Sequence, residues 1–287
     1  MLLLKAIELL KQNLIDKGRS KETIRGYIMD ITMLDRFLTA KYNCPTYLED
    51  LSEEDIESYL RMLRQEKEYQ AASVNRHLNS IRVLCKLAYK KDWLKNDPCR
   101  NVEQLKCQRK ERTYLSEEEL DTLLGAIKHP LVQLAVRTMA YTGLRVSECT
   151  SLKLDDVDLT NGIIHVIAGK GNKDRLVPIS EGLKPHLVEY VNGWRTQVPS
   201  HKFFATKKTG EISHQTINRI LHETTYELGW KKKVTCHILR HSFASFLVSK
   251  NVNVVKISKL LGHADVRTTS VYMHTNTEEL KEAVNLI

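Results

Sequence analysis

No stretch of the 287 residues approaches the run of about 18 apolar side chains that a membrane span needs. The apolar start Met1-Leu2-Leu3-Leu4 is broken at Lys5 and Glu8, before it reaches the length of a signal-peptide core, and a cytoplasmic location is expected. The six cysteines, Cys44, Cys85, Cys99, Cys107, Cys149 and Cys236, form no C-x-x-C pair and no spacing that suits a zinc site. They are expected to be reduced core or surface thiols. No internal repeat or low-complexity segment is present, which excludes a solenoid. Acidic residues are in short supply: 35 Asp and Glu face 44 Lys and Arg, a net charge of +9. Such an excess favours a polyanionic partner through counterion release, although a basic soluble protein without one has the same composition.

The length favours two domains. Up to about Leu94 every pattern is helical. Met1 to Lys17 stops at Gly18, Ser20 caps a helix that runs through Leu38, and Ser52 opens a third whose first turn carries Glu53, Glu54 and Asp55. A fourth helix, about Ala71 to Trp93, puts Val74, Leu78, Ile81 and Leu84 on one face and Arg76, Arg82 and Lys86 on others. Residues 1–97 are thus expected to form a helical bundle with a basic rim, and 98–114 a basic linker, or an ordinary solvated one. The capping-box pattern Ser116-Glu117-Glu118-Glu119 opens a second domain, 115–287. Within it, Ile163 to Ala168 and Arg175 to Ile179 flank Gly169-Lys170-Gly171-Asn172-Lys173, the pattern of a β-hairpin with a basic tip. Everything after Pro199 is expected to be helical. The fold class expected is mainly α with a small antiparallel β-sheet, an N-terminal helical bundle followed by a mixed α/β domain.

Chemistry concentrates in the second domain. In Cys236-His237-Ile238-Leu239-Arg240-His241, His237 and Arg240 share a helical face. The i, i+4 spacing of His237 and His241 also occurs in zinc helices, but Ile238 and Leu239 stand where a hydrolytic site wants a glutamate, and no metal is expected. Two further readings stay open, core histidines or a reactive pair. Lys259-Leu260-Leu261-Gly262-His263 ends a helix on glycine, so the negative end of that helix favours a protonated His263. Tyr272 follows in Thr269-Ser270-Val271-Tyr272.

Taken together, T-G-L-R-x-S-E, G-K-G-N-K-x-R, H-x-L-R-H, L-L-G-H and a following tyrosine, in that order, resemble the tyrosine recombinase (phage integrase) family, with spacing close to its Xer-type members. The resemblance spans nearly the whole chain, specific in the second domain and generic in the first. It implies a nucleophile at Tyr272 and an activating set of Arg145, Lys170, His237, Arg240 and His263. Cys236 stands where the family commonly has proline. The implied function is site-specific cleavage and rejoining of DNA through a 3′-phosphotyrosyl intermediate, with strand exchange between two sites and no cofactor. Within that scheme His237 accepts the phenolic proton, protonated His263 donates to a phosphate oxygen, Lys170 protonates the leaving 5′ oxygen, and Lys173 contacts phosphate.

The implied partner is double-stranded DNA bearing specific recombination sites, with a dimer on one site, a tetramer across two and room for an accessory protein. A bacterial, nucleoid-associated location follows from the same resemblance. Gln215, Asn218 and Arg219, on the helix expected from Ser213 to Leu228, are positioned to reach base edges or phosphates, as are Arg76, Arg82 and Lys86. The amphipathic tail, 277–287, is implied to dock on a neighbouring protomer, or else packs on its own domain. Single-subunit relaxation of supercoils, as in type IB topoisomerases, and DNA binding without catalysis are the alternatives. At this length a separate arm-binding domain is not expected, which favours a Xer-like or transposon-encoded resolving enzyme.

Overall fold

The computed structural model describes residues 1–107, 113–167, 174–195 and 199–262, which divide into two compact units, Met1–Lys110 and Glu111–Ile287. The first holds α1 (Leu3–Asp16), α2 (Lys21–Tyr42), α3 (Glu53–Gln65) and α4 (Ala71–Lys90). Each start has a sequence cause. Ser20 accepts the Thr23 N–H, and Ser52 and Asp55 close a reciprocal capping box. Helix α4 packs against the other three, and Leu10, Leu34, Tyr59, Leu63 and Leu84 fill the space between them.

One acid organises this bundle. Asp30 is only 1% exposed. Arg76 Nη1 reaches its two oxygens at 2.5 and 2.6 Å and the Ser80 hydroxyl donates at 2.7 Å. Arg76 Nη2 also donates to His77 Nε2, which leaves the proton on Nδ1, facing the Tyr59 hydroxyl at 3.0 Å. Burial pushes the His77 pKa down, so the ring stays neutral within this network.

Residues 98–105, expected to be linker, lie on α4. Cys99 and Val102 are buried, Arg82 Nη2 donates to the Val102 carbonyl, and the Asn75 amide clamps both backbone groups of Leu105. Two cysteines scattered in sequence meet here: Cys85 and Cys99 Sγ atoms are 3.6 Å apart, with Asp97 beside them. Hydrogen bonding to Cys99 and burial push the Cys85 thiol far above its usual range, so Cys85 stays protonated and packs as core.

The second unit contains α5 (Glu117–Ala126), α6 (Pro130–Thr142), α7 (Val146–Ser151), β1 (Val157–Asp158), β2 (Ile163–Val166), β3 (Arg175–Pro178), α8 (Lys184–Glu189), α9 (His214–Glu227), α10 (Cys236–Ser249) and α11 (Val254–Leu261). Helix α6 is its axis. It is apolar almost all round, and its Thr138 and Thr142 hydroxyls are satisfied by carbonyls one turn back. The hairpin expected from sequence is β2–β3, with Ile164 opposite Val177 and His165 opposite Leu176, apolar side in.

Three features depart from expectation. Strand β1 adds a third member at one edge, in the order β1-β2-β3. A π-helical turn, Tyr190–Trp194, extends α8. The chain after Pro199 runs non-helically to Ser213: Lys202 bridges Lys153, and Phe203 and Phe204 are buried in an aromatic cluster with Tyr190. Aromatic burial on a core surface overrides the absence of strand periodicity there. Among the described residues no helix is long and apolar enough to cross a membrane.

Gly143 ends α6 in the left-handed conformation (φ 66°), and a Cβ there would lie 2.5 Å from Phe243 Cδ1 of α10 and 2.7 Å from Leu261 Cδ2 of α11. Backbone strain of about 1–2 kcal/mol adds to this overlap, so Gly143→Ala is expected to lower the urea midpoint of unfolding by more than a typical exposed glycine change. In the first unit, Asp30→Ala leaves Arg76 and the buried Ser80 hydroxyl without their shared acceptor and is expected to cost about 2 kcal/mol, read from the same denaturation curve.

Candidate active site

Three of the six residues singled out from sequence lie in the described part of the second unit: Arg145, His237 and Arg240. Lys170, His263 and Tyr272, together with Lys173 and the tail 277–287, lie outside the described residues. The structure brings Arg145 and Arg240 to one turn.

That turn is Thr142-Gly143-Leu144-Arg145. With Leu144 fully buried and Gly143 left-handed, the chain reverses and Arg145 becomes the residue that caps α7. Its own N–H donates to Glu148 Oε2 at 2.8 Å and its Nη1 to Glu148 Oε1 at 2.8 Å. The R-x-S-E spacing is therefore a capping device as well as a chemical one, because the third residue of the helix reaches back to the cap. The Arg145 side chain remains 24% exposed.

Arg240 enters from α10 and is 8% exposed. Its Nη1 donates to the Gly143 carbonyl and its Nη2 to the Leu261 carbonyl, both at 2.6 Å. Those carbonyls belong to the C-terminal ends of α6 and α11, where the helix dipoles present partial negative charge. A buried guanidinium gains from both ends, and the two carbonyls hold its planar fork in a fixed direction.

Behind Arg145 lies Glu148, 6% exposed. Burial raises its pKa, but hydrogen bonds from Arg175 and from the Arg145 backbone and side chain outweigh burial and hold the carboxyl at about 2. Arg175, on β3, makes a two-pronged contact with it, Nη1 to Oε1 at 3.0 Å and Nη2 to Oε2 at 2.8 Å. Its Nε donates to the Leu260 carbonyl at 2.8 Å. Glu148 and Arg175 terminate two of the motifs read from sequence, and only their positions within T-G-L-R-x-S-E and G-K-G-N-K-x-R signalled them.

His237 sits in the first turn of α10 with its side chain exposed. Among the described residues, no third ligand atom joins it and His241 into a metal-sized cluster. The start of α10 is held by Asn218, whose Oδ1 accepts the Cys236 N–H at 3.1 Å while its Nδ2 donates to the His214 carbonyl. Both ends of the Asn218 amide thus act inside the protein. Arg219 pairs with Glu223, and Gln215 is exposed. On α4, Arg76 and Arg82 each commit nitrogens to the contacts described above, and Lys86 is exposed.

Residues 113–279 match the phage integrase family, and residues 6–95 match the N-terminal SAM-like domain of phage integrases. Tyrosine recombinase XerD of Oceanobacillus iheyensis is 32% identical over 279 residues, covering 93% of this chain and 92% of that protein. Tyrosine recombinase XerC of Halalkalibacterium halodurans is 31% identical over 282 residues, with coverages of 93% and 91%. Among solved structures, XerA recombinase aligns over 99% of this chain and 98% of its own, at 28% identity and a TM-score of 0.53. The Tn1549 transposon integrase, in complex with a circular intermediate DNA, shares the fold at a TM-score of 0.80 with 16% identity, covering 98% of this chain and 99% of its own. An arginine turn built on a buried glutamate, a second arginine seated on two helix ends, and matches to both domains along most of the chain lead to one assignment: the protein belongs to the phage integrase family and is a tyrosine recombinase.

Proposed function

We propose that this recombinase breaks a phosphodiester at a specific site in double-stranded DNA by attack of the Tyr272 phenol on phosphorus, and exchanges strands between two such sites. The observation that carries this reading is the seating of Arg145 and Arg240 on one turn, each held by bonds that leave it charged. A phosphodiester repels nucleophiles, and further charge gathers on its non-bridging oxygens as the fifth bond forms. Guanidiniums fixed in advance stabilise that charge without reorganising.

Tyrosine ionises near pH 10, so about one phenol in a thousand is anionic at pH 7, a deficit of roughly 4 kcal/mol. His237 takes the phenolic proton as the Oη–P bond forms, and Lys170 gives a proton to the 5′ oxygen as the P–O bond breaks. His263 donates to a non-bridging oxygen, and Lys173 contacts phosphate. The 3′-phosphotyrosine preserves the bond energy, so a 5′ hydroxyl of the other duplex reverses the step and rejoins the strand. Exposed Gln215, Arg219 and Lys86 contribute DNA contacts, and Asn218 serves DNA indirectly by fixing the start of α10. Relatives of the fold described with DNA include the XerH recombinase on its difH substrate and a lambda integrase dimer on a core site. A dimer per site and a tetramer across two sites, in the cytoplasm, complete the reading. Relaxation by a lone subunit and binding without catalysis gain nothing from these relatives.

Tyr272→Phe is expected to bind its site but form no covalent protein–DNA complex on a denaturing gel; a complex at the normal level removes Tyr272 as the nucleophile. Arg240→Lys keeps the charge but not the two-armed seat between helix ends, and its cleavage rate is expected to fall about 100- to 1000-fold. Removing 277–287 is expected to leave cleavage of a single site intact while strand exchange on a two-site plasmid is lost; full exchange by the truncated chain refutes docking of the tail on a neighbour.

A further inference from the structure

Glu148 has more cationic partners than its single charge requires. Arg145 alone forms an ion pair with it, yet Arg175 adds a second guanidinium on the same two oxygens. The two arginines are not equivalent. Arg175 makes the two-pronged contact and its side chain is 9% exposed, whereas Arg145 gives Glu148 one side-chain nitrogen among the described residues and is 24% exposed. Arg175 is thus the inner partner and Arg145 the outer one, the one a phosphate can approach.

Charge accounting turns this arrangement into function. A glutamate and one arginine sum to zero, and a neutral pair offers a phosphate little attraction. With both arginines the cluster carries one net positive charge, and the exposed end of the cluster is Arg145. We propose that Arg175 is a positioning residue for strand cleavage: it neutralises Glu148, so that Arg145 meets the scissile phosphate as an uncancelled cation. The inference rests on the reading that Arg145 binds that phosphate.

Arg175 has a third arm, which lysine cannot copy. Its Nε donates to the Leu260 carbonyl at the end of α11 while its two terminal nitrogens hold Glu148. Gly262 makes room for this crossing, since a Cβ at that position would lie 2.9 Å from Arg175 Cδ. The planar fork thereby joins β3, the α7 cap and the α11 terminus in one rigid contact.

The test uses full-length protein and a nicked site duplex that traps the covalent product, made with either a normal phosphate or a neutral methylphosphonate at the scissile position. Arg175→Gln is expected to bind the phosphate duplex like the parent but to cleave it about a hundredfold more slowly, the scale on which one preorganised electrostatic group is lost from the transition state. Arg175→Lys is expected to recover part of that rate. On the methylphosphonate, which removes the charge that the cation offsets, the defect of Arg175→Gln is expected to shrink strongly. A defect of equal size on both substrates assigns Arg175 a structural role only and overturns the proposal, as does a parental rate on phosphate. Should Arg175→Gln fail to fold, as shown by lost site binding, Arg175→Lys, which keeps the neutralising charge, decides: cleavage of the phosphate duplex well above background is expected, and loss of cleavage by a Lys variant that still binds the site overturns the proposal. Arg145→Ala separates the two levels: parental cleavage by that variant removes the reading of Arg145 itself, whereas lost cleavage there beside normal cleavage in both Arg175 variants removes only the role of Arg175.

Discussion

The catalytic unit depends on a carboxylate kept ionised in a place that disfavours charge. Glu148 is nearly inaccessible, and a lone carboxylate there would take up a proton rather than remain an anion. Two guanidiniums and a backbone N–H keep it charged, and in return it fixes where those groups point. The cap of α7, the start of β3 and the end of α11 converge on it. Breaking such a cluster by removing one member is costly because the remaining charges lose their compensation.

Arg240 solves a related problem differently. It is buried with backbone carbonyls among its partners, at the ends of two helices, and so dipoles help to solvate its charge. The two arginines on one turn are therefore tuned by opposite means, one through an acid that is itself over-compensated, the other through helix ends. The first unit repeats the theme at Asp30, where a buried acid ties Arg76 and Ser80 to the core of a basic bundle. There the acid serves packing and leaves Arg76 largely on the surface.

Much of the fold was legible because the helices carry local signals. Ser20, Ser52, Ser116 and Ser213 cap the helices that follow them, and Gly143 and Gly262 end α6 and α11 in left-handed geometry. The hairpin strands were visible from their alternation. What was missed lacked a local signal. Strand β1 is two residues long, and the aromatic packing of Phe203 and Phe204 against Tyr190 is a long-range contact. Residues 98–105 read as linker because their charges are conspicuous and their few apolar groups, Cys99, Val102 and Leu105, acquire meaning only once α4 offers a surface.

Sequence by itself determined which side chains can do phosphoryl chemistry, the order in which they occur, and the helices that carry them, because caps, glycines and apolar periodicity act over a few residues. Tertiary structure alone decided how the arginines are held. Glu148 meeting Arg175, and Arg240 meeting the ends of α6 and α11, are contacts between segments far apart in the chain, and no local pattern specifies which carbonyl or carboxylate a guanidinium will find. Charge and hydrogen-bond demand are properties of residues, but their satisfaction in a buried place is a property of the packed fold.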